Sequence, residues 1–133
     1  MMLLHTPGLE FRLLNDDRGD TGPFLVILLD NAMRALQAVQ RMIEAGLNSA
    51  CRLADYGLHI YSNVPQLVGK IPLSPAGNPW SLPQNVDSVR DYARGACPQS
   101  DALFARSILI PIPSCLTPQQ EDQAGQVIKA ALD

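Results

Sequence analysis

FLVILLDN, residues 24–31, combines a wholly apolar run with the polar start of a helix. Phe24–Leu29 has no polar position that could face solvent, which is the pattern of an interior strand covered on both faces or covered at a domain contact. Asp30 or Asn31 then offers a side-chain oxygen that can accept a hydrogen bond from an N–H group of the first helical turn. We predict an interior strand that leads directly into a helix.

The helix after residue 31 is predicted from apolar residues spaced four, three and four positions apart, which places them on one face that we expect to be buried. That face consists of Ala32, Leu36, Val39 and Ile43. Gly46 is expected to end the helix in the left-handed conformation that glycine adopts at low cost. With the following segment, 50–54, the helix is expected to lie across a small sheet.

A β-hairpin is predicted at the start of the chain. Leu9–Leu14 is a second apolar run, and residues 15–23 between the two runs are rich in Asn, Asp, Gly and Pro, which favour turns. We therefore expect Leu9–Leu14 to pair with Phe24–Leu29.

The stretch Tyr56–Pro83 contains five prolines and three glycines, which exclude long regular structure. At most a short helical turn fits at Pro65–Val68, with Asn63 available as its cap. Loops of this length in a compact domain are usually functional or are held down by another surface.

The C-terminal third predicts three helices and one strand. We expect helices at Val86–Arg94, capped by Asn85, and at Pro98–Ala105, followed by a strand at Ser107–Ile110. Thr117–Gln120 has the pattern of a capping box at the start of a last helix. The buried face of that helix is predicted to be Ala124, Val127, Ile128 and Leu132.

The order of these elements predicts an α+β fold, a small and largely antiparallel sheet with helices packed mainly on one face. With 133 residues, 47% apolar and 17% charged, residues 1–133 are expected to form a single domain with a core of its own.

Composition also excludes several classes of partner. The net charge of −3 and the scattered Lys and Arg residues predict no nucleic-acid surface. No apolar run approaches the roughly 20 residues that a membrane helix requires. Three widely spaced cysteines suggest reduced thiols in a cytoplasmic protein.

Histidine and cysteine side chains could support two kinds of chemistry, metal binding and thiol catalysis. His5 and His59 are far apart and no paired-cysteine motif is present, so no metal site is predicted. Cys97 stands at a predicted helix start, where the helix dipole favours a thiolate, and His59 is the plausible base for a thiol enzyme. The alternative is that Cys97 is a packing residue of the helix cap.

Polar and aromatic residues concentrate in and around the long loop. Aromatic faces can cover a sugar ring while amide, imidazole and ammonium groups bind hydroxyl or phosphate groups. The candidate substrate contacts are His59, Tyr61, Asn63, Lys70, Asn78 and Trp80. A loop that packs its own side chains explains the same residues, and both interpretations remain open.

Three segments carry a family resemblance: ADYGLHIY (residues 54–61), CPQSDAL (97–103) and above all ILIPIP (108–113) leading into LTPQQ (116–120). In this order they resemble the end of the DegT-type sugar aminotransferases, a branch of the fold-type-I pyridoxal-phosphate enzymes that includes relatives of 3-amino-5-hydroxybenzoate synthase. The resemblance covers the chain from about Phe24 onward, and its last segment is the most specific.

The resemblance implies the fold of the small C-terminal domain of these enzymes. In the family, pyridoxal phosphate is held by a larger N-terminal domain, whose lysine forms the aldimine and whose aspartate pairs with the pyridine nitrogen. Neither residue maps onto this chain, where Lys70 and Lys129 are expected to be surface lysines. No catalytic or cofactor-binding residue, and no cofactor, is therefore assigned here.

By the same resemblance, the loop around His59 and Tyr61 is expected near a cleft between domains or near a dimer partner, in contact with the sugar. The implied role is the substrate-side domain of a sugar aminotransferase, inactive alone and partnered by a large domain or an identical chain. The alternative is a stand-alone module that binds a small ligand or self-assembles.

Overall fold

The predicted hairpin is present in the computed structural model, which describes residues 9–16 and 18–133. Strand β1 (Leu9–Phe11) pairs antiparallel with strand β2 (Phe24–Leu29). β1 is shorter than the predicted Leu9–Leu14, because the chain leaves the sheet after the Arg12 N–H group donates to the Val26 carbonyl, 3.2 Å away. Beyond this point the side chain of Leu13 is exposed.

In the described part of the chain, four strands form one antiparallel sheet in the order β1-β2-β4-β3. Strand β3 is Cys51–Arg52 and strand β4 is Ser107–Pro111. β4 pairs with β2 along its length and with β3 on its other side. β2 is therefore an interior strand, as predicted, and β4 is a second one.

Helix α1 (Ala32–Glu44) starts and ends where the sequence predicts. The Asn31 side chain accepts a 2.8 Å hydrogen bond from the Arg34 N–H group and caps the first turn. At the other end Gly46 has a φ of +95°, and its N–H group donates to the Ile43 carbonyl. The Leu47 N–H group donates to the Met42 carbonyl, which completes a Schellman motif.

The buried face of α1 differs from the predicted one. Of the four predicted residues, Val39 is buried and Leu36 is half-buried, whereas Ala32 is exposed and Ile43 is 43% exposed. The residues that enter the core are Ala35, Ala38, Val39 and Met42. Both faces have helical spacing, but two alanines and a methionine let the helix approach the sheet closely while filling the remaining space.

Helix α4 (Pro118–Leu132) begins with the predicted capping box, in which the Thr117 and Gln120 side chains each accept a hydrogen bond from the other residue's N–H group. Its buried residues are Ile128, Ala131 and Leu132, whereas Ala124 and Val127 are half-buried.

Two arginines of α1 bind the end of α4. Arg34 donates to the Leu132 carbonyl at 3.0 Å, and Arg41 donates to the Ala131 carbonyl at 3.4 Å. The last carbonyls of a helix have no hydrogen-bond partner within the helix, so these guanidinium groups satisfy two of them. Their positive charges also interact favourably with the negative end of the helix dipole.

The core lies between one face of the sheet and helices α1 and α4. Ile27 and Ile108 are directly opposite each other on β2 and β4 and are fully buried, and Leu29 and Ile110 lie on the same face. The sheet is small and antiparallel and carries these helices on one face, which confirms the predicted α+β class.

The chain divides into two compact units, one made of the described residues up to Ala54 with Ala102–Asp133, and the other of Asp55–Asp101. The single domain predicted for residues 1–133 stays a prediction. No helix within residues 9–16 and 18–133 is long and apolar enough to cross a membrane.

Short helical turns follow one another through the long loop. Helix α2 (Pro65–Val68) forms where it was predicted. Its predicted cap is wrong, because Val64 occupies the cap position and the Asn63 amide donates to the Gly57 carbonyl instead. The 3-10 helices within residues 53–88 are Leu53–Asp55, Gly57–His59, Tyr61–Asn63, Pro79–Ser81 and Pro83–Ser88.

The predicted helix Val86–Arg94 is also wrong. The 3-10 helix Pro83–Ser88 occupies part of it and is followed by extended backbone at Val89. The Asn85 amide, expected as a cap, donates to the Pro79 carbonyl at 2.9 Å and ties two loop segments together. Helix α3 (Pro98–Ala105) agrees with its prediction.

Candidate functional site

The six predicted substrate contacts all lie in the Asp55–Asp101 unit. They stand on its short helical turns or directly beside them, because prolines and glycines interrupt the backbone every few residues. Each of the six side chains is exposed or half-buried; they are His59, Tyr61, Asn63, Lys70, Asn78 and Trp80.

Tyr61 is the centre of a hydrogen-bond network. Its hydroxyl lies 2.9 Å from both carboxylate oxygens of Asp101, to which it donates, and it accepts a 3.2 Å bond from the Cys97 N–H group. The Gly95 N–H group donates to the same carboxylate at 2.7 Å. These four residues, the Tyr61 network, join two segments about forty positions apart in the chain.

The environment of Tyr61 raises the pKa of its hydroxyl above the ordinary value of 10.0. Burial is the largest cause, and the hydrogen bond and negative charge of Asp101 act in the same direction. The N–H groups of Cys97 and Gly95 lower the pKa and offset part of this effect. At neutral pH the hydroxyl is therefore protonated and acts as a donor.

We expect the alkaline titration of Tyr61 to be visible in the ultraviolet absorbance of the folded protein. The difference between the titration curves of the native chain and Tyr61→Phe should contain one tyrosine with a pKa above 10.0. Because the folded-state pKa lies above that of the unfolded chain, the protonated Tyr61 hydroxyl contributes to the stability of the fold. This contribution is fully present below the unfolded-state pKa and is lost as the pH rises through the folded-state pKa.

The matched control is Asp101→Asn, which removes the negative charge but keeps the burial of Tyr61. It should reduce the rise in the Tyr61 pKa without abolishing it, because burial is the larger cause. A difference curve with a midpoint at or below the ordinary value would show that the network does not form in solution.

His59 and Cys97 do not form the pair that a thiol enzyme requires. The His59 ring stacks on Tyr56, with the ring centroids 4.6 Å apart and the planes 16° from parallel. The Cys97 thiol is exposed just before α3. Within residues 9–16 and 18–133, no hydrogen bond joins this thiol to the His59 ring, so the predicted hydrogen-bonded pair is not formed.

Lys70 closes helix α2 in an unusual backbone conformation. Its φ is +52°, which is left-handed and costs a residue other than glycine about 1–2 kcal/mol. It is held there by a Schellman motif, in which the Ile71 N–H group donates to the Gln66 carbonyl and the Lys70 N–H group donates to the Leu67 carbonyl. Its ammonium nitrogen lies 5.9 Å from the ring centroid of Tyr92, which suits a cation–π contact.

The Asn78 side chain connects Lys70 and Trp80 through hydrogen bonds to their backbone. The Asn78 amide donates to the Lys70 carbonyl at 3.3 Å, and its oxygen accepts from the Trp80 N–H group at 3.0 Å. Like the Tyr61 hydroxyl and the Asn63 amide, these polar groups bind atoms of their own unit. This arrangement favours a loop that packs its own side chains, and the sugar contacts stay a prediction.

A surface depression of about 360 Å³ lies in the other unit, beside the hairpin loop. Val26 and Leu109 line its floor; they are opposite each other on β2 and β4 and point away from α1 and α4, since side chains alternate along a strand. The remaining lining residues are Arg12, Gly19, Asp20, Thr21, Pro23 and Phe24.

An ion pair between Arg12 and Asp20 stands at this depression. The Gly22 N–H group, which donates to Asp20 at 2.9 Å, lowers the pKa of Asp20 most, and Arg12 lowers it further. Residues 15–23 were predicted only as a turn, so the depression was not predicted from the sequence. The sequence feature that could have indicated the depression is the unbroken apolar run of β2, which leaves an apolar second face on the sheet.

No group of three or more His, Cys, Asp or Glu residues within the described ranges is placed to hold a metal ion. His5 lies outside the described residues. No protein-family model matches this chain, and a search of curated proteins finds no significant relative.

Proposed function

We propose that this chain is the substrate-side C-terminal domain of a pyridoxal-phosphate-dependent sugar aminotransferase and is catalytically incomplete by itself. The observation that carries the proposal is the structure of the segment with the most specific resemblance. Ser107–Pro111 forms the interior strand β4, and Thr117–Gln120 forms the capping box of α4. Strand β4 belongs to the antiparallel sheet and helix α4 packs on one face of it, which is the fold that the resemblance implies.

In this proposal the protein works in the cytoplasm with a large domain or an identical chain as its partner, and the Asp55–Asp101 unit contributes to binding a sugar-type molecule. The cofactor supplies the electron sink for transamination when it is bound. The two lysines of this chain do not fit as its anchor, because Lys129 is exposed in the last turn of α4 and the ammonium of Lys70 faces Tyr92. No chemical step is therefore assigned to them.

Reductive trapping tests whether the chain is catalytically incomplete. After incubation with pyridoxal phosphate and reduction with borohydride, we expect no stoichiometric phosphopyridoxyl group at a single lysine in the intact-protein mass spectrum. Lys70→Arg and Lys129→Arg serve as controls that locate any adduct. A saturable adduct of one per chain that disappears in one of these variants would contradict the proposal.

The DNA upstream of codon 1 tests the proposed role itself. An in-frame large domain with a cofactor lysine would support a C-terminal domain, and the longer polypeptide should then bind pyridoxal phosphate. An in-frame stop codon directly upstream, with no partner gene for a large domain beside it, would favour the independent module.

A self-assembling module is the second candidate, and it is favoured by exposed apolar side chains at one end of the sheet. Leu13 is 82% exposed, and Leu14 and Ile112 are also exposed. They lie where β1 and β4 end and β2 begins, since the Ile112 N–H group donates to the Pro23 carbonyl. We call Leu13, Leu14 and Ile112 the loop-end patch. Apolar surface of this kind favours association between copies.

Sedimentation at increasing concentration should distinguish this candidate. If the loop-end patch pairs two chains, Leu13→Ser should weaken the dimer by at least about tenfold, because burying one leucine contributes about 1.5–3 kcal/mol. Leu73→Ser is the matched control, since Leu73 is 87% exposed and belongs to the other unit. A strict monomer at high concentration would rule out self-assembly.

A further inference from the structure

We draw no further inference here: the strongest candidate, the depression between the hairpin loop and the face of β2 and β4 that points away from α1 and α4, adjoins the loop-end patch already considered for self-association, and nothing in the structure shows what else covers this apolar surface.

Discussion

Replacing Ile108 with alanine is expected to lower the free energy of unfolding by about 2–5 kcal/mol. Ile108 is fully buried on β4, opposite Ile27 on one side and paired with Arg52 of β3 on the other. It belongs to the same core cluster as residues of α1 and α4. Truncation therefore removes buried apolar surface and leaves a cavity where the sheet meets two helices.

Urea unfolding followed by far-ultraviolet circular dichroism measures this loss. Small domains are stable by about 5–15 kcal/mol, so the substitution should shift the midpoint strongly or unfold the protein. Leu73→Ala is the control. Because Leu73 is 87% exposed, this substitution should change the free energy of unfolding by no more than about 0.5 kcal/mol. Equal midpoints for the two variants would mean that β4 is not in the core.

The second large effect is expected from Ala35→Leu, which adds three carbon atoms where α1 packs on the sheet. Ala35 is fully buried and lies in the core cluster. Overpacking a close helix–sheet contact forces side chains off their rotamers or moves the helix, at a cost of about 1–3 kcal/mol. The change should appear as a lower midpoint of urea unfolding.

Ala32→Leu is the matched control, because the same change of residue type is made on the same helix. Ala32 is exposed, although the sequence pattern places it on the buried face. We expect its effect on stability to stay within about 0.5 kcal/mol. If Ala32→Leu were the more destabilising of the two, the helix face predicted from sequence would be correct and the structural one wrong.

The elements predicted correctly are those that depend on neighbouring residues. Asn31 caps α1 and Gly46 ends it through bonds that span only a few positions. Thr117 and Gln120 bind each other in the same way at the start of α4. Such contacts need no information from the rest of the chain, so their residue types and spacing suffice to predict them.

The candidate site was less predictable, because its partners are distant in sequence. Tyr61 was recognised as a polar aromatic residue of the loop, but its bonds to Asp101 and Cys97 span 40 and 36 positions. Asn63 and Asn85 are of a residue type that often caps helices, yet the side-chain amide of each donates to a carbonyl six residues away. An asparagine side chain can bind any of several nearby backbone carbonyls and N–H groups, and the packing of the folded chain determines which one it binds.

Turn-forming residues and apolar runs were enough to predict the β1–β2 hairpin and the start and end of α1. They also predicted the connection from β4 to the capped start of α4. These features follow from steric limits and short-range hydrogen bonds, which act within a few residues. Folding in three dimensions selected Ala35, Ala38 and Met42 as the face of α1 that enters the core, placed β4 between β2 and β3, and gave Tyr61 its carboxylate partner. These features depend on volume and on groups far apart in the chain, so no local pattern contains them.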